Sequence, residues 1–263
     1  MPGPVKYDAM PDEEHLIPPS IELAWGRRQK GTRGPKPGLT LDRIVAGGIK
    51  VAMTEGIGAL SMTRVAAELG VGTMSLYRYV TAKDELLTLM VDSALGAPPD
   101  PAPGEDWRAG LTRWAVGVRS AYQRHPWALR VPISAPPLGP NNVAWLDNAL
   151  RTLGDTPLSE QQKLSTVLLV SGFVRNDATL NLDLAAGAGG GQVMPTYARM
   201  LGALIEGGDF PALADALASG ALEDEDDPDS EFHFGLERIL DGVAELIARH
   251  SSGSGSGSGS ASG

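Results

Sequence analysis

Apolar residues recur every three or four positions along most of the chain, and no alternating run is long enough for a sheet. Leu41, Ile44, Val45, Gly48, Ile49 and Ala52 share one helical face, with Thr40 as N-cap and Gly56 as stop. Ser61 opens a second helix, with Arg64 where a capping-box acid would sit. Met62, Val65, Ala66 and Leu69 form its buried stripe, and Gly70 ends it. A third helix is predicted from Thr73 to Val80, anchored inward by Leu76, Val80 and Val71. Thr81 is the expected cap of a fourth, with Asp84 and Glu85 in its first turn. The stretch "APPDPAPGED" (97–106) breaks the pattern and sets a boundary between domains at 39–96 and 105–250. Beyond it, helices are predicted near 107–125, 141–153, 158–183, 193–206 and 231–249. Between them, 185–192 reads as a glycine-rich loop and 222–231 as a solvated acidic loop. The expected fold class is therefore all-α: an N-terminal three-helix unit followed by a larger helical domain.

Composition agrees. Aromatics are only 5% and alanine and leucine dominate, which favours helices over strands. There is no cysteine, so disulfides and thiolate metal sites are excluded. No apolar run reaches membrane-spanning length, and the acidic, proline-containing first residues do not resemble a secretory signal. A cytoplasmic protein is expected. Residues 1–20 show no periodicity and read as disordered, within an extension spanning 1–38. Residues 251–263 are a Gly/Ser linker and carry no function.

Charge changes the picture. The net charge is −10, yet residues 21–90 hold ten Lys/Arg against six Asp/Glu. Arg27, Arg28, Lys30, Arg33 and Lys36 form a basic arm, with no acid among residues 25–38, directly before the first helix. Such arms reach minor grooves in other DNA-binding proteins, although a charge run by itself is most often a solvated tail.

The stretch "SMTRVAAELGVGTMSLYRYV" (61–80) places two short amphipathic helices on either side of a turn beginning at Gly70. This is a helix-turn-helix, whose second helix enters the major groove. With Leu76 and Val80 inward, Thr73, Met74, Ser75, Tyr77, Arg78 and Tyr79 remain for DNA; the alternative is an ordinary hairpin with a polar surface. Over residues 39–95 the sequence resembles the TetR family of transcriptional regulators. It carries the helix–Glu-Gly–loop–Thr–helix–Gly-Val–"LYRYV"–Lys–"ELL" pattern nearly throughout. The resemblance implies a homodimer on palindromic operator DNA, with a rear domain that responds to a small-molecule inducer. It also implies a phosphate contact for Thr63, a guanine or phosphate contact for Arg64, phosphate and groove contacts for Tyr77 and Tyr79, and a phosphate contact for Lys83.

In the rear half, Phe232, Leu236, Ile239, Leu240, Val243, Leu246 and Ile247 make a wide apolar stripe. Leu164, Val167, Leu168, Ser171 and Gly172 add a face with small residues. In the resembled family two such helices per subunit form a four-helix dimer interface; a monomer core is the other reading. Trp114, Tyr122, His125, Trp145, Phe173, Asn176, Asp177, Met194 and Tyr197 supply the aromatic walls and placed polar groups of a ligand pocket. Each taken singly reads equally well as core or surface. No catalytic constellation, metal set or cofactor motif is legible, and "GAGGGQ" lacks the strand and the Lys-Ser/Thr of a phosphate loop. The expected function is a ligand-responsive repressor. An all-helical enzyme and a ligand-independent DNA-binding protein are the competing classes.

Overall fold

The structure, a computed structural model, describes residues 17–27, 38–133, 136–187, 193–206, 208–222 and 229–253. Among these residues all regular structure is helical. The chain forms two compact units, residues 1–98 with 130–147, and residues 99–129 with 148–263.

The first unit is built from α1 (Pro19–Ala24), α2 (Leu41–Glu55), α3 (Met62–Leu69), α4 (Thr73–Leu76) and α5 (Lys83–Leu95), with a 3₁₀ turn at 57–59. The Thr40 hydroxyl accepts from the Arg43 N–H at 3.2 Å, and the Ser61 hydroxyl accepts from Arg64 N–H at 3.1 Å, so both expected caps are made. Ile44, Val51, Val65, Leu76, Val80, Leu86 and Met90 form the core. The missing side chains of Gly47 and Gly48 on α2 leave room for Leu69 of α3 and Met90 of α5; a Cβ would lie 2.9 Å and 2.6 Å from them.

Two expectations are corrected here. The extension over 1–38 was expected to be disordered, but Pro19–Ala24 within it form α1, which buries Ser20 and Ile21 against α2 and α5. The Ser20 hydroxyl donates to Glu85. Thr81 is not the cap of α5. Ala82 holds that position, and Thr81 instead donates its N–H and hydroxyl to Glu85. By contacts, residues 130–147 group with the first unit. The reason lies at the start of α7 (Pro140–Thr152). Gly139 is the N-cap by its carbonyl, which accepts from Val143 N–H at 3.0 Å, but it has no side chain to cap with. The carboxylate of Asp92 on α5, only 4% exposed, fills that space. Its oxygens accept the backbone N–H groups of Asn141 and Asn142 and both side-chain amides. One buried anion thus caps a helix from another segment, where the helix dipole favours it. Trp145 N–H donates to Gly96 O and Trp25 N–H to Leu138 O, each at 2.8 Å.

The second unit contains α6 (Trp107–Arg124), a 3₁₀ turn at 126–130 whose last residue is assigned to the first unit, the end of α7, α8 (Glu160–Gly187), α9 (Val193–Leu204), α10 (Pro211–Ala218) and α11 (Ser230–Gly253). α6 and α11 both pack on α8. α10 was not expected from the sequence, and α8 continues helically into the predicted glycine loop as far as Gly187. In the α11 stripe, Phe232, Leu236, Leu240 and Val243 are buried within the single chain, while Ile239, Leu246 and Ile247 are half-buried. Most of that stripe is therefore monomer core. On α8 the face is split: Val167, Val170 and Val174 point inward, whereas Leu164 and Leu168 are exposed.

Candidate functional site

Gly70 ends α3 in the left-handed region, φ +66°, which favours glycine. Its N–H donates to Ala67 O, and Val71 N–H donates to Ala66 O, fixing the angle at which the next helix starts. α4 is shorter than the predicted Thr73–Val80 helix. After Leu76 the chain continues as a turn, with Tyr79 and Val80 N–H both donating to Leu76 O at 2.8 and 3.1 Å. Gly72 offers no side-chain cap, and Tyr77, Tyr79 and Val80 are weaker helix formers than the Arg78 among them, so little holds a longer helix. Leu76 and Val80 are fully buried, as their spacing predicts.

The outward face then holds Met74, 77% exposed, Tyr77, 42% exposed, and Arg78, with Thr73 and Ser75 half-buried beside them. Thr63 is exposed on α3, and Lys83 is exposed as the first residue of α5. Two expected DNA contacts are placed otherwise. The Tyr79 hydroxyl donates to Leu39 O at 2.6 Å, tying the turn to the start of α2. The Arg64 guanidinium donates Nε and Nη2 to Glu55 at 3.0 and 2.6 Å and Nη2 to Glu68 at 2.9 Å. These hydrogen bonds, Glu55 first and Glu68 second, hold Arg64 above its ordinary pKa. Glu68 is in turn held below its usual range by Lys50 and then Arg64. Arg64 thus bridges α3 to α2 in this chain. Of the basic arm, Arg27 lies over the Trp25 ring at 5.6 Å; Arg28, Lys30, Arg33 and Lys36 lie outside the described residues.

The second unit has a cavity of about 260 Å³, near the lower end of small-molecule pockets. α6 contributes Arg119 and Tyr122, the 3₁₀ turn Pro126 and Leu129, and α8 Asn181 and Leu182. Of the nine residues expected in a pocket, only Tyr122 lines it. Trp145 belongs to the first unit, where its indole serves Gly96. Trp114 is core, Phe173 stacks on Phe232 at 5.7 Å, and Asn176, Met194 and Tyr197 are exposed. Asp177 accepts from Arg119 Nε at 2.9 Å. His125 is half-buried with its Nδ1 unpartnered, and burial, then the neighbouring Arg124 charge, push its pKa down.

Arg119 was missed from sequence. It also donates to Asp229 at 2.6 Å, and its guanidinium lies 4.4 Å over the Phe232 ring. Its position was a signal: it follows Leu111, Ala115 and Val118 on the apolar stripe of α6, where a charge needs a partner. Asp229, expected in a solvated loop, is that partner. Among the described residues no group of three His, Cys, Asp or Glu is arranged to hold a metal, and no helix is long and apolar enough to cross a membrane.

A helix-turn-helix with an exposed, polar second element, joined to a helical domain with a small cavity, defines a DNA-binding transcriptional regulator. Comparison with known proteins gives the family. The profile "Bacterial regulatory proteins, tetR family" matches residues 44–90, and "Tetracyclin repressor-like, C-terminal domain" matches 100–247. The HTH-type transcriptional repressor DrrR1 of Streptomyces coeruleorubidus is 38% identical over 238 residues, 88% of this chain and 86% of that one. The repressor Rv1353c of Mycobacterium tuberculosis is 29% identical over 86% of this chain and 87% of its own. The structure of ActR from Streptomyces coelicolor in complex with actinorhodin aligns with a TM-score of 0.68 at 31% identity, covering 81% of this chain and 99% of that one. The chain belongs to the TetR family of helix-turn-helix transcriptional repressors.

Proposed function

We propose that the chain acts in the cytoplasm as a homodimeric repressor that reads a palindromic operator through Thr73, Met74, Ser75, Tyr77 and Arg78 and is released by a small molecule held in the second unit. Thr63 and Lys83 contact phosphates, and the basic arm follows the minor groove. The observation that carries the reading is the outward face of α4 and its following turn. It is exposed and polar and holds the large side chains Met74 and Tyr77, while Leu76 and Val80 anchor it from beneath. The ActR complex with actinorhodin supports the small-molecule half, as does the cavity beside Arg119. A dimer accounts for Leu164 and Leu168 standing exposed on α8, and for an operator of two half-sites.

The test is DNA binding by fluorescence anisotropy across a salt series. Lys83→Ala weakens binding and flattens the slope of log K against log salt by about one unit, as loss of one phosphate contact requires. Tyr77→Ala weakens binding in an unaltered fold. Replacing Arg28, Lys30, Arg33 and Lys36 together by Gln lowers the slope further. Substitution is preferred to deleting residues 1–36, because deletion also removes α1 and its buried Ile21. An unchanged affinity and slope in Lys83→Ala would remove that residue from the interface, and an unchanged slope in the four-fold variant would reduce the arm to a tail.

A further inference from the structure

We propose that the cavity between α6, the 126–130 turn and α8 takes an apolar molecule bearing one anionic group, and that this anion replaces the carboxylate of Asp229 on Arg119. The inference names the chemistry of the effector and rests on the effector reading above.

The walls supply the apolar half: Tyr122, Pro126, Leu129 and Leu182 surround a space of about 260 Å³. The polar half comes from Gln123, Asn181 and one cation, the Arg119 guanidinium. Arg119 is nine-tenths buried and lines the cavity, and two carboxylates share it. They are not equivalent. The Asp177 side chain is 12% exposed and enclosed with Arg119, whereas that of Asp229 is 46% exposed. A second guanidinium stands behind the wall, since Arg175 donates to the Tyr122 hydroxyl at 3.4 Å and to Leu129 O at 3.2 Å. An anion reaching Arg119 meets two carboxylates already there, and the more exposed one leaves with the smaller change in solvation. Burial opposes the charge on Arg119, but the hydrogen bonds to Asp229 and Asp177 outweigh it and hold the guanidinium above its ordinary value. The cation therefore persists for the anion to meet.

Asp229 has somewhere to go. Its carbonyl accepts from His233 N–H at 3.0 Å, so it stands at the N-cap of α11, where aspartate is among the preferred residues. Off Arg119, its carboxylate turns toward the first N–H groups of that helix or to water. The exchange changes how the start of α11 is held against α6, and α11 packs on α8, whose outer face the proposed function places at the dimer seam. Cavity occupancy is coupled in this way to the arrangement of the two DNA-reading heads.

The experiment compares two probes with one aromatic frame. 1-Anilinonaphthalene-8-sulfonate carries an anion, and N-phenyl-1-naphthylamine does not. Each is titrated by fluorescence into the full chain, native and Asp229→Asn, with operator binding followed in parallel. Removing the competing carboxylate tightens the sulfonate about tenfold, equivalent to about 1.4 kcal/mol, at one site per chain, and moves the neutral probe less than twofold. Arg119→Lys, which keeps the charge but loses the planar fork, weakens the sulfonate selectively. An unchanged sulfonate affinity in Asp229→Asn overturns the proposal. So does equal tightening of both probes, which would mean that the substitution merely loosens the helix start. If the neutral probe alone releases operator, the effector reading stands and the anion exchange falls. If the sulfonate responds to Asp229→Asn as expected but leaves operator bound, the exchange stands and the effector reading falls.

Discussion

A chain carrying Leu164→Glu and Leu168→Glu sediments as a folded monomer and loses operator affinity by roughly a hundredfold or more. Both side chains are exposed in the single chain, 43% and 74%, so the substitutions touch none of the buried core residues. They put charges on the outer face of α8, where Leu169 is exposed as well. In a close-packed seam each new carboxylate would be buried without a partner, a penalty of several kcal/mol. DNA affinity falls with the dimer because the second head no longer binds at the high effective concentration set by the first, an advantage of about 10²–10⁴-fold. Sedimentation, circular dichroism and anisotropy on one preparation separate the outcomes. A double variant that remains a stable dimer would place the seam elsewhere. Leu240 and Val243 are poor choices for this test, because both are buried within one chain and their replacement would unfold it.

Gly139→Val destabilises the first unit by about 3 kcal/mol or more, and Asp92→Ala does nearly the same. A Cβ at residue 139 would lie 2.1 Å from the Asp92 carboxylate oxygen, inside any van der Waals distance. The carboxylate must then leave the start of α7, and the N–H groups and amides of Asn141 and Asn142 lose their charged acceptor. Asp92→Ala removes the same acceptor from the other side and leaves a void. Because both substitutions break one arrangement, their effects are strongly non-additive. Denaturant titration of the two single variants and the double checks this. A double variant as destabilised as the sum of the singles would show that residue 139 and Asp92 act separately.

The helix-turn-helix was legible because its determinants are local. Thr40 and Ser61 cap within their own turns, Gly70 supplies the left-handed residue that ends α3, and Leu76 and Val80 announce the buried side of the recognition element. Tertiary bonds set the intrachain partners that the sequence does not show. Tyr79 resembles an exposed aromatic until its hydroxyl is seen to meet Leu39, forty residues away. Arg64 reads as a DNA cation, yet it faces Glu55 across the 57–59 turn and Glu68 one helical turn along. The cavity was poorly legible for a related reason. Aromatic residues report bulk, not location, and Trp114, Phe173 and Trp145 went to core packing or to another unit. The informative residue was a charged one, Arg119, set on an apolar stripe. Its partners at 177 and 229 are separated from it by 58 and 110 positions, beyond the reach of any periodicity.

The central claim is that two copies of the face around Thr73–Arg78 read DNA together. Selecting duplexes from a random pool with the purified chain, at fixed salt, tests it most directly. The predicted result is enrichment of an inverted repeat whose half-site centres lie one helical turn, about 34–36 Å, or a multiple apart, with enrichment lost in Tyr77→Ala. Selected sequences without two-fold symmetry, or no enrichment over the starting pool, would contradict it.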